Sequence, residues 1–322
     1  MAKSRIILLV SLSLWYSMAF SQKIDFNNPP IVPQLLLPNF ISTGLNERDL
    51  TISPDGKELY FTVVSPQNAM SAICYSTKTS SGDWTKPKIA SFSGVYSDLE
   101  PAFSPDGKKL YFVSKRPVDG KEKRDFDIWF VEKSKEGWSS AKHLPINTDF
   151  DEFYPSVAAN GNLYFTASYN EAVSKEDIFV SEFKDGNYQK AIALDSTINS
   201  KMYEFNAFVA PDESFILFTA YGRKGDKGRG DIYISFKSGS KWQIPKQIAL
   251  INSEKLDYCP TVSFDKKILF FTSERTILPV QSAEKKYVYQ DYLKFNNSTQ
   301  NGNGDIYWIS FEEVLKSLNK ND

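Results

Sequence analysis

The chain of 322 residues carries 38 Lys and Arg against 39 Asp and Glu, and 41% of its residues are hydrophobic. This near-neutral balance offers no basic face of the kind that nucleic acid requires, so no nucleic-acid partner is expected. The single histidine, His143, is too few for a histidine-dependent triad or a zinc site, and no glycine-rich phosphate loop leads from a strand into a helix.

The N-terminus has the form of a secretory signal peptide. Lys3 and Arg5 precede an apolar run that ends at Phe20, and cleavage is expected between Ser21 and Gln22. The apolar run is shorter than the roughly 20 residues of a bilayer span, so no membrane span is expected. We therefore expect an exported protein, periplasmic or secreted. The predicted division is a signal peptide at 1–21 and a single mature domain at 22–322.

A turn-and-strand motif recurs five times along the mature chain. Its fullest form is Ser-Pro-Asp-Gly at 104–107, followed by Leu110-Tyr111-Phe112. Pro, Asp and Gly favour a β-turn, and the aromatic and aliphatic residues that follow favour a strand. A fixed period of this size predicts repeated supersecondary units. The five copies begin at residues 53, 104, 158, 210 and 263.

Each repeat contains four short strands with turn signals between them. Four repeats begin the third strand with Asp-Ile-aromatic, at Asp127, Asp177, Asp231 and Asp305, whereas the first has Ala72-Ile73-Cys74. Four antiparallel strands at this period are the sequence form of a β-propeller. The fold class is therefore all-β, a propeller of five four-stranded blades. The predicted blades span 46–95, 96–148, 149–200, 201–253 and 254–311, the last completed by 31–38.

The fifth repeat has no fourth strand of its own. After Phe311 the chain turns into a short tail, Glu312–Asn319, that we expect to be helical. The segment Pro33–Pro38 precedes the first repeat at the spacing of a fourth strand, so we expect it to complete the last blade and close the ring. Residues 276–304 form a long tyrosine-rich insertion, and loops of this length are usually functional or disordered.

The Ser-Pro-Asp-Gly turn, the Leu-Tyr-Phe strand, the Ser-x-Arg at 114–116 and 273–275, and the Asp-Ile-aromatic strand together resemble the TolB-like, WD40-like propeller repeat. The resemblance covers about residues 31–311, and the family is abundant among exported bacterial proteins. It implies a binding or scaffolding platform more often than catalysis. No catalytic motif of the family transfers to this chain.

A column of acidic residues stands six residues before each turn. The first strand of a propeller blade lines the central channel, so we expect a ring of carboxylates near one mouth. The column consists of Glu47, Asp98, Glu152, Glu204 and Asp257. Its neighbours on the same strands are Asp49, Glu100, Tyr154 and Asn206, with Phe153, Phe205 and Tyr258 between them.

Several uses of this column remain open. Its oxygens could bind a hard cation such as calcium, or grip sugar hydroxyls against the aromatic residues. Two of the acids could act as a glycosidase pair with separated pKa values. Alternatively, each acid could hydrogen-bond backbone N–H groups between blades as a structural clasp. An acid that recurs in every blade favours the structural use over catalysis, because catalysis needs asymmetry.

Two further sets of side chains are assigned structural roles. Arg116, Arg223 and Arg275 precede three of the third-strand aspartates, and we expect each to tie its hairpin through an arginine–carboxylate pair. Cys74 and Cys259 lie at different strand positions in the first and last repeats, so we expect free, buried thiols rather than a disulfide.

The sequence thus favours an exported, monomeric, non-enzymatic propeller that binds a protein or a saccharide at a channel mouth. The candidate ligand-binding residues are the five column acids with Tyr154 and Tyr258. No cofactor is implied except calcium. The alternative function is a carbohydrate-active enzyme that uses carboxylates of the central channel.

Overall fold

A computed structural model describes residues 24–319 of the chain. The predicted signal peptide lies outside these residues. Within them, no helix is both long and apolar enough to span a bilayer.

The recurring turn is held by its own side chains. Ser104 Oγ donates to the Asp106 carboxylate at 2.7 Å, and Asp106 accepts the N–H of Lys108 at 3.0 Å. Gly107 adopts a φ of 67°, a left-handed conformation that glycine takes without steric cost. The turn therefore delivers the chain into the next strand with a fixed register.

Five small antiparallel sheets of four or five strands follow one another along the chain, one per repeat, and a separate two-stranded hairpin accompanies the third. Blade 1 contains β2 (Asn46–Ile52), β3 (Glu58–Val64), β4 (Ser71–Thr77) and β5 (Lys88–Ile89), with a 3-10 turn at Pro66–Asn68. Blade 2 contains β6 (Asp98–Phe103), β7 (Lys109–Ser114), β8 (Asp127–Ser134), β9 (Gly137–Trp138) and β10 (Lys142–His143). Blade 3 contains β11 (Glu152–Val157), β12 (Leu163–Ala167), β13 (Asp177–Ser181), β14 (Phe183–Lys184), β15 (Asn187–Tyr188) and β16 (Ile192–Ala193). Blade 4 contains β17 (Tyr203–Val209), β18 (Phe215–Tyr221), β19 (Asp231–Ser238), β20 (Lys241–Trp242) and β21 (Lys246–Gln247). Blade 5 contains β22 (Asp257–Val262), β23 (Ile268–Ser273), β24 (Asp305–Ser310) and β1 (Gln34–Leu35); the helices are α1 (Tyr289–Asn296) and α2 (Phe311–Leu318).

The blades form a closed five-bladed β-propeller. The first strands of neighbouring blades contact one another in order, and β22 of blade 5 contacts β2 of blade 1. Apolar side chains fill the space between each pair of neighbouring blades, as in the cluster of Tyr60 and Ile73 with Phe112 and Trp129. The predicted fold class is confirmed, and the core is a ring of interblade clusters rather than one central cluster.

The N-terminal segment closes the ring as predicted. Gln34 pairs with Trp308 and Leu35 with Tyr307, so β1 is the outer strand of blade 5. Leu36, which is fully buried, adds a backbone hydrogen bond to Ile306. The helical tail is confirmed as α2, which buries Phe311, Val314 and Leu318 against blades 4 and 5.

In blades 2, 3 and 4 the aromatic residue that precedes the fourth strand lies in a separate hairpin and not in that strand. In blade 2, Trp138 pairs with Lys133 and so prolongs the third strand as a hairpin. The chain leaves the sheet after Ser139, whose N–H still donates to the Glu132 carbonyl, and returns at Lys142 and His143. The aromatic residue belongs to the hairpin because its ring packs into the interblade cluster, where its indole N–H donates to Tyr60 at 2.8 Å.

The two faces of the ring are built from different loops. One face carries the Ser-Pro-Asp-Gly turns and is here called the turn face. The other, the mouth face, carries the start of each first strand and the loops between second and third strands. The insertion lies on the mouth face, where Asn301 and Asn303 donate to the Gly44 carbonyl of the connection into blade 1.

Candidate functional site

Each first strand contains a β-bulge that turns one side chain toward the propeller axis. The pairing with the second strand shifts between Arg48 and Thr51 in blade 1, and at the matching place in every other blade. The bulged residue has a positive φ of 50–59°, which few non-glycine residues adopt. These residues are Asp49, Glu100, Tyr154, Asn206 and Cys259. Backbone strain repeated five times around one axis marks the centre of the ring as a place where particular side chains are needed.

The acidic column lies two residues before the bulges and is at most 1% exposed. Each carboxylate accepts a hydrogen bond from a Ser or Thr hydroxyl in the connection from the preceding blade, and four also accept that residue's backbone N–H. The donors are Thr43 for Glu47, Ser93 for Asp98, Thr148 for Glu152, Ser200 for Glu204 and Ser253 for Asp257. We name this arrangement the connection clasp. Assignment of these acids to ligand binding stays a prediction.

The expected pairing of the arginines with third-strand aspartates is wrong. Arg116 donates instead to Asp98 at 2.7 Å, and its Nη2 also reaches the Phe92 carbonyl. Arg275 likewise donates to Asp257 and to the Ile251 carbonyl. The arginine turns back across its own blade because the Ser two residues earlier accepts its Nε–H, as Ser114 does for Arg116. Blade 4 repeats the acid and carbonyl contacts with Arg223, Glu204 and Ile198.

The third-strand aspartates bind their own loops. Asp177 accepts the N–H groups of Val173 and Ser174. Asp127 contacts His143 at 2.9 Å and Lys123 at 3.4 Å. These contacts explain why the aspartates start a strand: they satisfy loop N–H groups and cations at the rim of the blade.

Arg48 holds the bulge side chains together at the axis. Its Nε donates to both carboxylate oxygens of Asp49 at 2.7 and 2.8 Å, and its Nη2 donates to Glu100 at 3.0 Å. Cys259 Sγ lies 2.7 Å from Asp49, and the Tyr154 N–H donates to Glu100 at 2.6 Å. Burial, reinforced by Asp49, raises the pKa of Glu100 above its usual range although Arg48 opposes the shift.

A cavity of about 250 Å³ opens at the axis on the mouth face, and we name it the mouth cavity. Glu100 forms part of its floor and also lines a second space of about 30 Å³ toward the turn face, so the bulge layer separates the two. The mouth cavity is lined by Arg48, Glu100, Phe153, Thr166, Glu176, Phe205, Asn206, Leu256 and Tyr258. It combines aromatic and aliphatic walls with a few converging polar groups, as small-molecule sites do.

The sequence predicted part of this site. Phe153, Phe205, Tyr258 and Asn206 were expected beside the channel and line the mouth cavity. Tyr154 lies at the axis, but its hydroxyl points to the turn side and donates to the Pro260 carbonyl at 3.0 Å.

Several residues of the site were missed, and Arg48, Cys259 and Glu176 are the ones that carry chemistry. Arg48 and Cys259 occupy the positions that match expected neighbours in other repeats, so aligning the repeats could have found them. Glu176 lies in the loop before a third strand, and no sequence pattern pointed to it. Its pKa is raised, because the carboxyl is buried and Asp151 lies nearby.

Both cysteines are free, as expected, but the expectation that both thiols are buried is wrong for Cys74. Cys259 is buried at the axis, and Cys74 is half-buried in blade 1. Among residues 24–319 no group of three or more His, Cys, Asp or Glu side chains is arranged to hold a metal ion. The oxygens of Asp49 and Glu100 converge on the Arg48 guanidinium, so this cation takes the place that a metal would need between them. Calcium binding stays a prediction.

No protein-family model matches the chain, and no curated protein matches it. Among solved structures, similarity extends to TolB from Acinetobacter baumannii, with 14% identity and a TM-score of 0.45 over 83% of this chain and 55% of that one. An alpha-L-arabinofuranosidase from Lactobacillus brevis matches with 12% identity and a TM-score of 0.46, over 85% and 92% of the two chains. A complex of BT0996 with RGII matches with 8% identity and a TM-score of 0.52, over 85% and 88%. The chain thus spans about half the length of the TolB structure, and at these identities the likeness concerns the fold alone.

Proposed function

We propose that this five-bladed propeller is an exported, non-enzymatic binding protein whose ligand seats in the mouth cavity. The observation that carries the proposal is the combination of aromatic walls, converging polar groups and a strained bulge ring at one place on the axis. Stored backbone strain concentrates where side chains must be held for function. The turn face, by contrast, offers only about 30 Å³ at the axis.

A saccharide is the ligand that these side chains suit best, with a protein segment as the second candidate. Phe153 and Phe205 line the cavity with aromatic rings against which the apolar C–H face of a sugar can lie, and the Arg48 guanidinium lies over the Tyr258 ring, 5.1 Å from its centroid. Arg48 offers donors, and Glu176 and Asn206 offer acceptors and donors for hydroxyl groups. Glu176 and Arg48 are half-buried, so they are partly desolvated before a ligand arrives. Groups in this state gain most from a matching hydrogen bond.

Export and the repeat type complete the proposal. We infer secretion from the charged and apolar N-terminus up to Phe20, with cleavage after Ser21. The TolB-like, WD40-like repeat type is inferred from the recurring turn and strand motifs. A monomer is expected, because the ring satisfies its own sheet edges.

A glycoside hydrolase that uses channel carboxylates remains the alternative. Glu100 has the raised pKa of a general acid, and Asp49 is its carboxylate neighbour. However, Asp49 already binds Arg48 and Cys259, while Glu100 binds Arg48 and the Tyr154 N–H. Carboxylates engaged in this way are better suited to holding the site in shape than to attacking a glycosidic bond.

A binding screen on the full-length protein tests the proposal. The panel contains neutral and acidic oligosaccharides, calcium chloride and EDTA, with melting temperature as the readout, since a ligand of the folded state raises it by mass action. A hit is then titrated by calorimetry against Phe205→Ala and Glu176→Gln. We expect either change to weaken binding at least tenfold.

Phe183→Ala is the matched control, because Phe183 is an aromatic residue 39% exposed on the turn face. It should leave the dissociation constant unchanged. Equal weakening by all three variants, or no ligand in the panel, would count against a mouth site. Release of reducing sugar from a bound oligosaccharide, lost in Glu100→Gln, would establish the hydrolase instead.

A further inference from the structure

Three blades fill the same place with an arginine, and blade 1 does not. In blade 2 the Arg116 guanidinium lies over Phe112 and Trp129, with its carbon Cζ 4.7 and 5.4 Å from the two ring centroids. The arginine covers this side of its blade and donates a hydrogen bond to Asp98, in addition to the one that Asp98 accepts in the connection clasp. Arg223 and Arg275 lie over the equivalent ring pairs of blades 4 and 5.

Blade 1 has three small residues where the other blades have large ones. Counted from the strand pairing of Glu47 with Val63 and of Asp98 with Ser114, the arginine position falls on Ser65. By the same count, Ala72 stands where blade 2 has Asp127, and Cys74 stands where blade 2 has Trp129. Blades 3 and 4 also have spaces on this side, of about 640 and 540 Å³, but there Tyr169 and Arg223 occupy the arginine position. In blade 1 the loss of an arginine head, a carboxylate and a ring leaves the arginine position itself as open space.

That space is a groove of about 700 Å³ on the mouth side of blade 1, here called the blade 1 groove. Ser65 and Cys74 line it together with Met70, Ile89, Val95 and Tyr96. Met70 is 70% exposed and Val95 82%, which is unusual for apolar side chains gathered in one place. Within the described residues 24–319, every residue that lines the groove is uncharged.

A negative charge without its cation lies beside the groove. Glu47 accepts the hydroxyl and the backbone N–H of Thr43, as in the connection clasp. Blade 1 has no counterpart of the arginine that also binds the column acid in blades 2, 4 and 5. Burial raises the pKa of Glu47, and the Glu47 carboxyl adds to the effect of burial in raising the pKa of Asp305 to about 7. Asp305 Oδ1 is buried and has no hydrogen-bond partner among the described residues. Among the described residues, no cation pairs with either of these two neighbouring carboxyl groups.

We propose that the blade 1 groove binds a protein partner that inserts an arginine side chain beside Cys74 and pairs its guanidinium with Glu47. The partner's arginine takes the place that Arg116, Arg223 and Arg275 occupy in their own blades. The Ile41 carbonyl, six residues before Glu47, matches the carbonyls of Phe92, Ile198 and Ile251 that those arginines bind. Flanking apolar residues of the partner lie on Met70, Val95 and Tyr96. This site is separate from the mouth cavity and does not depend on the function proposed above.

Substitution of Ser65 by arginine tests whether the blade 1 groove can hold a guanidinium beside Glu47. Ser65→Arg should raise the melting temperature by about 2 °C or more, since its guanidinium would make the carboxylate and carbonyl contacts that the arginines of blades 2, 4 and 5 make. The gain should vanish in the Ser65→Arg, Glu47→Gln double variant. Ser65→Leu is the matched control, because it fills the groove without a charge. A fall in melting temperature with Ser65→Arg, or an equal gain with Ser65→Leu, would overturn the pairing with Glu47.

The NMR signals of methionine methyl groups test whether the blade 1 groove binds an arginine that is supplied by a separate peptide. The full-length chain contains Met70 in the groove and Met202 beside Arg223 in blade 4, where the place is filled. Titration with acetyl-Leu-Arg-Leu-amide should shift the Met70 signal, leave the Met202 signal unmoved, and fail in Ser65→Arg. The same peptide with citrulline, a neutral isostere, should bind at least tenfold more weakly. Equal binding of the citrulline peptide, or no shift of Met70 at millimolar peptide, would refute the proposal.

Discussion

The hydroxyl of Tyr169 donates to Glu152 Oε1 at 2.8 Å, in the blade where the clasp has a tyrosine instead of an arginine. Tyr169 also packs its ring on Phe179, with 4.8 Å between centroids, so it covers its blade as the arginines cover theirs. A phenol supplies a hydrogen bond but no charge. Glu152 therefore stays a buried carboxyl with no cation, and burial raises its pKa to about 7.

The first prediction concerns pH. The folded pKa of Glu152 lies above that of an unfolded glutamate, near 4.3, so the folded state binds the proton more tightly. The stability from this group is complete below about pH 4.3 and is lost as pH rises through about 7. We expect the melting temperature to fall between pH 5.5 and 8, and Glu152→Gln to flatten that fall and to melt above the parent chain at pH 8.

Glu204→Gln provides the comparison for this pH effect. Glu204 occupies the same position in blade 4 but pairs with Arg223 at 2.7 Å, so neutralising it should leave a buried guanidinium without its partner and lower the melting temperature at pH 8. If the two variants changed the melting temperature alike, a tyrosine and an arginine beside the column acid would have the same effect on its protonation, which would contradict the prediction.

The second prediction concerns the arginine clasp. Arg116→Leu removes the cation from Asp98, which is fully buried, and should cost about 3–5 kcal/mol of unfolding free energy. The Arg116→Leu, Asp98→Asn double variant should cost clearly less than the two single variants added together, since no unpaired charge remains. Urea unfolding followed by tryptophan fluorescence measures all three. Additive costs would mean that the two side chains act independently.

The third prediction concerns ring closure. Leu36 is fully buried in the cluster between blades 5 and 1, so Leu36→Ala should cost about 2–5 kcal/mol. Leu45, 58% exposed a short distance along the same segment, is the control and should change stability by about 0.5 kcal/mol or less. A cost for Leu36→Ala as small as that of Leu45→Ala would show that the ring is stable without the N-terminal strand.

The fourth prediction concerns the insertion. Helix α1 buries none of its residues, and Thr276 bridges to Asn301 where the insertion leaves and rejoins the blade. Replacing 278–299 by two glycines should keep the far-ultraviolet circular dichroism spectrum of the sheets and move the melting temperature by about 2 °C or less. Loss of cooperative melting would instead make the insertion part of the fold.

The architecture was readable from sequence because its signals are local and repeated. The turn at Ser104–Gly107 fixes its own geometry through side-chain hydrogen bonds that span at most five residues, and its copies mark the blades. The role of Gln34 and Leu35 followed from counting strands, since the fifth repeat has no fourth strand of its own and the strand at Gln34 precedes the first repeat.

The direction of the side chains near the axis was harder to read. Strict alternation along a strand places Glu47 and Asp49 on one face, but the bulge at Asp49 breaks the alternation. The column acids therefore face the connection clasp, and the bulge residues face the axis. The arginines were misassigned for a related reason: Arg116 precedes Asp127 in sequence, yet Ser114 turns it back to Asp98.

The pairing of Gln34 with Trp308 sets the order in which this protein can finish folding. Blades 1 to 4 can form in sequence as the chain emerges, because each of their sheets draws its strands from one stretch of sequence. The last interface cannot form until Gln34 and Leu35 meet β24, which makes closure a contact of very high sequence separation and an intrinsically slow step. Until then β24 presents an unpaired edge, and the cluster around Leu36 is open to water. A chain interrupted before Ser310 is left with the exposed edge and apolar surface from which aggregation starts.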